Sequence, residues 1–498
     1  MKHKTWNYAL ALFLFSTFTM AIGILAQDTS PQGKVTLHHQ YKVVDLGTFG
    51  GPGSFAYQQH TLSPEGAVVG GADTTEINPY PGCFNPIVGT ECYVQHAFEW
   101  RNGILTDLGT LPGGSSSFPN GINLSGWVIG GSENGAIDPV LGAPEYDAVL
   151  WRNGQITNLG TLGGNGSLAY DVNDNGQIVG FAANAIPDPL SMGGFATQTR
   201  PFVWENGVMR DLGTFGGPDG MAFLTNQRGQ TIGQYYLNSA VNPTTGTPTM
   251  DPILWETNGK AVDLGTLGGT SGTTYWINNR GQVVGQSNLA GDLNAHAFLW
   301  QQGVLTDLGT LGGDNSTPYF NSDRGDVVGR GDVPGSQTHH GFLWSQGVMR
   351  DLGVIDGDAC STAYGANDLG QIVGDAGICF VGGRAWLWEQ GGPMVDLNAV
   401  AVPGSGLHLQ DAIVINNRSE ILCTGLLPNG DKHSVLLIPC DANHPGECAD
   451  NSLIEAASPS TVPRFSPVRP GSELSTIPGN QHVRFTQKHF QGLQDPNE

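Results

Sequence analysis

The run Asp263-Leu264-Gly265-Thr266-Leu267-Gly268-Gly269, continued by Ile277-Asn278-Asn279-Arg280-Gly281-Gln282-Val283-Val284-Gly285 and closed by His296-Ala297-Phe298-Leu299-Trp300-Gln301-Gln302-Gly303, is one copy of a three-part unit written eight times. Its first part returns at Asp45, Asp107, Asn158, Asp211, Asp263, Asp307, Asp351 and Asp396, at intervals of 44 to 62 residues. Periods of that length belong to propellers or solenoids. The second part ends in Gly70, Gly130, Gly180, Gly233, Gly285, Gly329, Gly374 and Gly425. The third ends in Trp100, Trp151, Trp204, Trp255, Trp300, Trp344 and Trp388, with Leu437 in the last copy. Comparing copies inside one chain separates what the unit requires from what varies.

Each unit holds four short strand candidates, such as Leu168 to Val172, Gln177 to Gly180, Pro201 to Trp204 and Gly207 to Leu212. Strands one and two are joined by Asn-x-x-Gly, as in Asn173 to Gly176, which is a type I turn preference. Strands three and four are joined by Asn102-Gly103, Asn153-Gly154 and Asn206-Gly207, relaxed to Gln302-Gly303 and Gln346-Gly347. Asn-Gly between apolar runs is a strong hairpin signal because both residues tolerate positive φ. The expectation is therefore all-β: an eight-bladed β-propeller of four-stranded antiparallel blades over residues 41–439. A seven-bladed ring, a β-helix or another β array is the alternative. Tyr41 to Thr48 reads as a fourth strand without its own blade, and His433 to Ile438 as a third strand without a fourth. Pairing the two would close the ring and leave no open edge. The repeated Asp reads as a cap on the Gly-rich turn that follows it, and the repeated Trp as interblade packing.

This wording, including His96-Ala97-Phe98 and His296-Ala297-Phe298, resembles the bacterial extracellular HAF repeat family. The resemblance spans about residues 41 to 439 and implies export and a repeat-built β domain. It implies no activity and no catalytic residues. The His of the phrase is kept as His96, His296, His340 and His433 but is Asp147, Asp251, Arg200 or Arg384 elsewhere. Such variation suits a solvated strand end better than a ring of metal ligands.

Lys2, Lys4 and the apolar run from Tyr8 to Leu25 read as a secretory signal over residues 1–26, with no membrane span expected after its cleavage. Cysteine usage fits an oxidising compartment. Cys83 with Cys92, Cys440 with Cys448, and Cys360 with Cys379 are candidate disulfides, leaving Cys423 as a buried thiol. Residues 440–498 read as a disulfide-capped loop followed by a disordered Ser/Pro-rich tail. The formal net charge of −23 excludes a basic nucleic-acid footprint. No nucleophile elbow, zinc-protease helix, P-loop or dinucleotide fingerprint is present, so no catalytic residue, metal or cofactor is assigned. Asp171 to Gly176 opens like a calcium loop, but its twelfth position is Ala182 and the other copies are plain turns.

In a meander the tight turns share one end and the connections after strands two and four share the other. The loops after strand two contain 25, 16, 19, 17, 10, 10, 9 and 7 residues in chain order. The long ones, in units one to four, carry Tyr80, Phe84, Tyr93, Tyr146, Phe195, Tyr235 and Tyr236 with Asp73, Glu76, Asp138, Glu145 and Asp188. Loops on a rigid scaffold hold binding groups, and aromatic and acidic side chains suit a sugar or a cationic group. The sequence thus points to a secreted, monomeric binding or scaffold protein for carbohydrate or an extracellular protein. An extracellular polysaccharide hydrolase or lyase using loop carboxylates, and a structural surface protein, are the rival readings.

Overall fold

The computed structural model describes residues 40–56, 60–80, 92–243, 246–335, 338–380, 382–389, 391–401 and 406–440. Residues 1–26, read above as a signal, lie outside them, as do Phe84, Cys83, Cys448 and the C-terminal tail. What is described is a β-propeller-type architecture of four-stranded antiparallel meanders. Six form separate sheets, and the meanders of Gly220–Asp263 and Gly268–Gly309 are joined into one eight-stranded sheet by a single parallel bridge, Met250 to Ser271. The remaining partnership is not local. Tyr41–Asp45 pairs antiparallel with Lys432–Pro439, from Tyr41 opposite Pro439 to Asp45 opposite Val435, and supplies the fourth strand of the last meander.

Meanders are numbered here one to eight, beginning with Gly50–Phe55. From meander two to meander eight the first strands lie against one another in succession, so these meanders converge on that side. In meanders two to eight the first strand carries a β-bulge, placing Asn120, Tyr170, Phe223, Tyr275, Tyr319, Tyr364 and Ile413 outside the ladder. A bulge bends its strand and re-aims a side chain.

The Asn-x-x-Gly turns join neighbouring meanders. Asn226 Oδ1 accepts from the Arg228 and Gln230 N–H groups, holding its own turn, while its Nδ2 donates to the Asn278 carbonyl of the next meander at 3.0 Å. Asn123, Asn173, Asn278 and Asn367 do the same toward Asn173, Asn226, Ser322 and Asn416. Asn416 reaches Ser63, at the start of the series, at 3.1 Å. Ser63 and Ser322 have no amide to donate, so the belt is interrupted at those two joints. Asn102, Asn153 and Asn206 sit at φ of 51–52° and the glycines after them at 71–85°, as Asn-Gly hairpin turns require.

Packing follows the same direction. Trp100 packs in one cluster with Leu422 and Leu436 of meander eight, Trp151 with Val69 of meander one, and Trp300 with Leu224 and Leu254 of meander four. The repeated Asp caps its turn: Gly109, Gly213, Gly265 and Gly309 N–H groups donate to Asp107, Asp211, Asp263 and Asp307 at 2.7–2.8 Å.

Three sequence expectations need correction. The long segments after strand two are largely strand, because Val68–Ile77, Val128–Ile137, Ile178–Pro187 and Thr231–Val241 run on and pair with lengthened third strands. They are hairpin arms. Gly425 is not the equivalent of Gly285, since the register places Cys423 opposite Val435 where Gly285 faces Phe298. A Cβ at Gly285 would meet the Thr273 carbonyl and the Phe298 ring. The variable His position is a partly buried cross-strand pair with the capping Asp rather than a solvated end. His96 to Asp107, His296 to Asp307, His340 to Asp351 and His433 to Asp45 lie at 2.8–2.9 Å. Arg200 pairs with Asp211 and Arg384 with Asp396, and where the position is Asp147 its partner has become Asn158.

Candidate functional site

Polar and titratable groups gather on the first and second strands of meanders five to eight. The bulge residues Tyr275, Tyr319 and Tyr364 form a chain of rings, with centroids 6.0 Å and 5.4 Å apart. Beside them stand Arg330 and Asp375, each following the motif Gly of its second strand, and Asp411 from the first strand of meander eight. Burial raises the Asp375 carboxyl to about 7, and the neighbouring Asp411 charge adds to the shift. Thr362, Tyr364 and Arg330 act in the opposite direction. Burial also raises Asp411, against Lys432 and a Thr424 hydrogen bond, and it raises the Tyr364 hydroxyl well above its usual value. Asp375 Oδ1 is shut off from solvent and accepts no hydrogen bond among the described residues. The Asp375 carboxyl is held by hydrogen bonds from Thr362 and Tyr364, and an interior acceptor left without a donor costs about 1–3 kcal/mol.

A second junction lies at the turn end. His60 Nδ1 is 2.7 Å from Asp171 Oδ1, while Asp171 Oδ2 accepts the Thr225 N–H at 2.8 Å. The His60 ring also meets Trp276 edge-on at 5.3 Å. These contacts tie meander one to meanders three and five. Gly121 lies between them, where an added Cβ would sit 3.7 Å from His60 and 3.8 Å from Asp171 Oδ1. Burial pulls the His60 pKa down, but the Asp171 charge and hydrogen bond outweigh it and the net shift is upward. Asp171 is thus committed to protein contacts.

The arm residues singled out from sequence are dispersed. Tyr235 and Tyr236 are 0% and 2% exposed and belong to two different core clusters, and Asp73 is 1% exposed and accepts from Gln95 Nε2. Asp138 is buried as well and caps the Val140 and Leu141 N–H groups at 2.7 and 2.9 Å. These four are wall and turn residues because the segments carrying them are paired strands and a capped turn. Tyr146 is half-buried, donating its hydroxyl to Glu133 and packing on Phe118. Tyr93 opens its strand opposite Ile77, and the Tyr80 N–H donates to Asn78. Glu76 is exposed, and burial raises the Glu145 pKa. Phe84 lies outside the described residues.

Cys360 and Cys379 form a disulfide with Cα atoms 5.0 Å apart. Cys92 and Cys440 are disulfide-bonded too, while Cys83 and Cys448, their expected partners, lie outside the described residues. Cys423 is a buried free thiol. The ligand atoms of His339, Cys360 and Cys379 lie within 4.8 Å of one another, but the two sulfurs are bonded to each other. A cleft between meanders three and four is lined by Glu205, Arg210, Trp255 and Glu256. Those groups are satisfied within the protein: Arg210 pairs with Glu205, Glu256 accepts from Gln230, and Trp255 donates to Gly213.

The sequence reading passed over the cluster, yet the repeat carried a signal. The position after the motif Gly is Gly71, Gly131 and Phe181 in meanders one to three, then Gln234, Gln286, Arg330 and Asp375. The third residue before the turn Asn is aromatic from Tyr170 through Tyr364. Two columns of the repeat thus change character along the chain.

No protein-family model matches this chain, and no curated protein sequence is similar to it. Among solved structures it is similar to the β-propeller domain of the Trilobed protease from Pyrococcus furiosus, with 8% identity, 64% of this chain and 93% of that one covered, and a TM-score of 0.41. It is also similar to Porphyromonas gingivalis dipeptidyl peptidase 4, with 10% identity, coverage of 72% and 55%, and a TM-score of 0.41. A third is an ulvan lyase of a polysaccharide lyase family, with 9% identity, coverage of 81% and 96%, and a TM-score of 0.34. Among the described residues, no helix is long and apolar enough to cross a membrane.

Proposed function

We propose that this is an exported, non-catalytic carbohydrate-binding protein of the HAF repeat type, built as a closed ring of eight blades. Its binding site lies on the converging strands of blades five to eight. The observation that carries this reading is the chain of three tyrosine rings beside the Asp375 and Asp411 carboxyls. Sugar hydroxyls supply donors, and their apolar ring faces suit aromatic walls. The pairing of Tyr41–Asp45 with the last sheet and the bond from Asn416 to Ser63 support closure. The disulfides and the N-terminal signal pattern support export.

The test is a panel of soluble polysaccharides and their fragments, assayed for binding and for cleavage with wild type, Asp375→Asn and Tyr364→Phe. Binding without product, lost in Asp375→Asn, is expected. One observation favours a second reading: a carboxyl held near neutrality beside another, as Asp375 is beside Asp411, is suited to proton donation. Product release by wild type that disappears in Asp375→Asn would establish a hydrolase or lyase instead.

A further inference from the structure

Phe380 is placed where a bulky residue is costly. Its φ is +63°, whereas the other non-glycine residues at positive φ among the described residues are Asn, Asp, Gln, Ala or Ser. For a large aromatic this is an outlier, and strained backbone persists where its surroundings hold it and concentrates at functional positions. Here the adjacent Cys379 is locked to Cys360. The ring is nevertheless 58% exposed. It is backed by His339, centroid to centroid 4.8 Å, and by the Arg330 guanidinium, 5.2 Å from its centroid. His339 is in turn fixed, its N–H donating to Cys360 Sγ at 3.2 Å. An aromatic ring supported on one side and open on the other, in a disulfide-pinned turn, is a stacking surface.

The same strand connects this surface to Asp375. Asp375 lies on Gln371–Ile378 and Phe380 in the turn that follows it, at most roughly 16 Å apart at the rise of an extended chain. Arg330 lies between the two, over the Phe380 ring and within the electrostatic reach of Asp375. Arg330 and the neighbouring carboxyls offset one another, and a net charge of −23 disfavours approach of polyanions. We infer that Phe380 is the outer platform of the Asp375 site, stacking one ring of an extended neutral oligosaccharide whose inner residue donates to Asp375. This rests on the reading of Asp375 as the ligand acceptor.

The experiment is calorimetric titration of the full-length protein with neutral glucan and mannan fragments from mono- to hexasaccharide, with melting curves for every variant. Phe380→Ala should weaken the long fragments about tenfold and leave the shortest unchanged, and Phe380→Trp should restore them. Cys360→Ser/Cys379→Ser, which frees the turn, should follow Phe380→Ala. Asp375→Asn should weaken fragments of every length. Long fragments bound equally by Phe380→Ala and wild type, but not by Asp375→Asn, would overturn the platform and leave the Asp375 site standing. Undiminished binding by Asp375→Asn, or no binding by wild type, would overturn both.

Discussion

At the scale of single residues, the repeat lets one copy explain another. Asp219 is fully buried, its Oδ1 accepts the Thr199 N–H, and its carboxyl shares a hydrogen bond with Asp188. Burial raises its pKa to about 8, with the Asp188 charge contributing. The corresponding residue of meander six is Asn315, which accepts the Ala295 N–H and donates to Asp332. Asp219 therefore works as a neutral amide analogue. A carboxyl with a raised folded pKa binds its proton more tightly in the native state, so its contribution is fully present below the unfolded value of 3.8 and is lost as pH rises toward 8. Asp219→Asn should remove this loss and raise the melting temperature by a few degrees above pH ~8, with little effect near pH ~4. An unchanged pH profile of melting would contradict the assignment. Asp251 and Asp263 place two carboxylates where other meanders pair His or Arg with Asp, and burial with the Asp263 charge raises Asp251 to about 6. Asp251→His should relieve this by a gain of about 0.5–1 kcal/mol near pH ~6, read by denaturant titration at low salt. The sequence made the capping Asp legible because it recurs. It read the His column as a solvated strand end because the partner Asp lies on another strand.

At the scale of elements, the turn belt is the main cohesive device between meanders. Asn226 is buried and makes bonds both within its turn and to Asn278, so Asn226→Ala empties several buried groups at once. A loss of about 2–4 kcal/mol is expected from chemical denaturation. Ser322→Asn should add the missing amide between meanders six and seven and raise stability by about 1 kcal/mol. A loss of stability in that variant would mean that the serine joints are strained against the belt. Turns were legible because Asn and Gly have local reasons to be where they are. The arms were not, since Asp73, Asp138, Tyr235 and Tyr236 share the polar, aromatic composition of a loop, and only strand pairing and a capped turn bury them.

At the scale of the whole molecule, the ends of the described domain are held by one sheet. Tyr41 is fully buried within the cluster of the last meander, while Val44 and Leu46 pack with Leu62, Val68 and Phe98 of the first. Deleting Tyr41–Asp45 exposes that joint and the edge of Lys432–Pro439. The melting temperature should fall substantially, and an unchanged value would refute closure of the ring. Eightfold repetition and the strand count were legible because period and turn chemistry agree. The candidate site was not, because it arises where first and second strands from several meanders meet, and no sequence interval encodes that meeting. The most direct test of the account compares binding of a neutral oligosaccharide series by Asp375→Asn and by the arm variant Glu76→Gln/Tyr146→Phe. Affinity falling tenfold or more in Asp375→Asn and unchanged in the arm variant is the predicted result; loss in the arm variant with Asp375→Asn intact would contradict it.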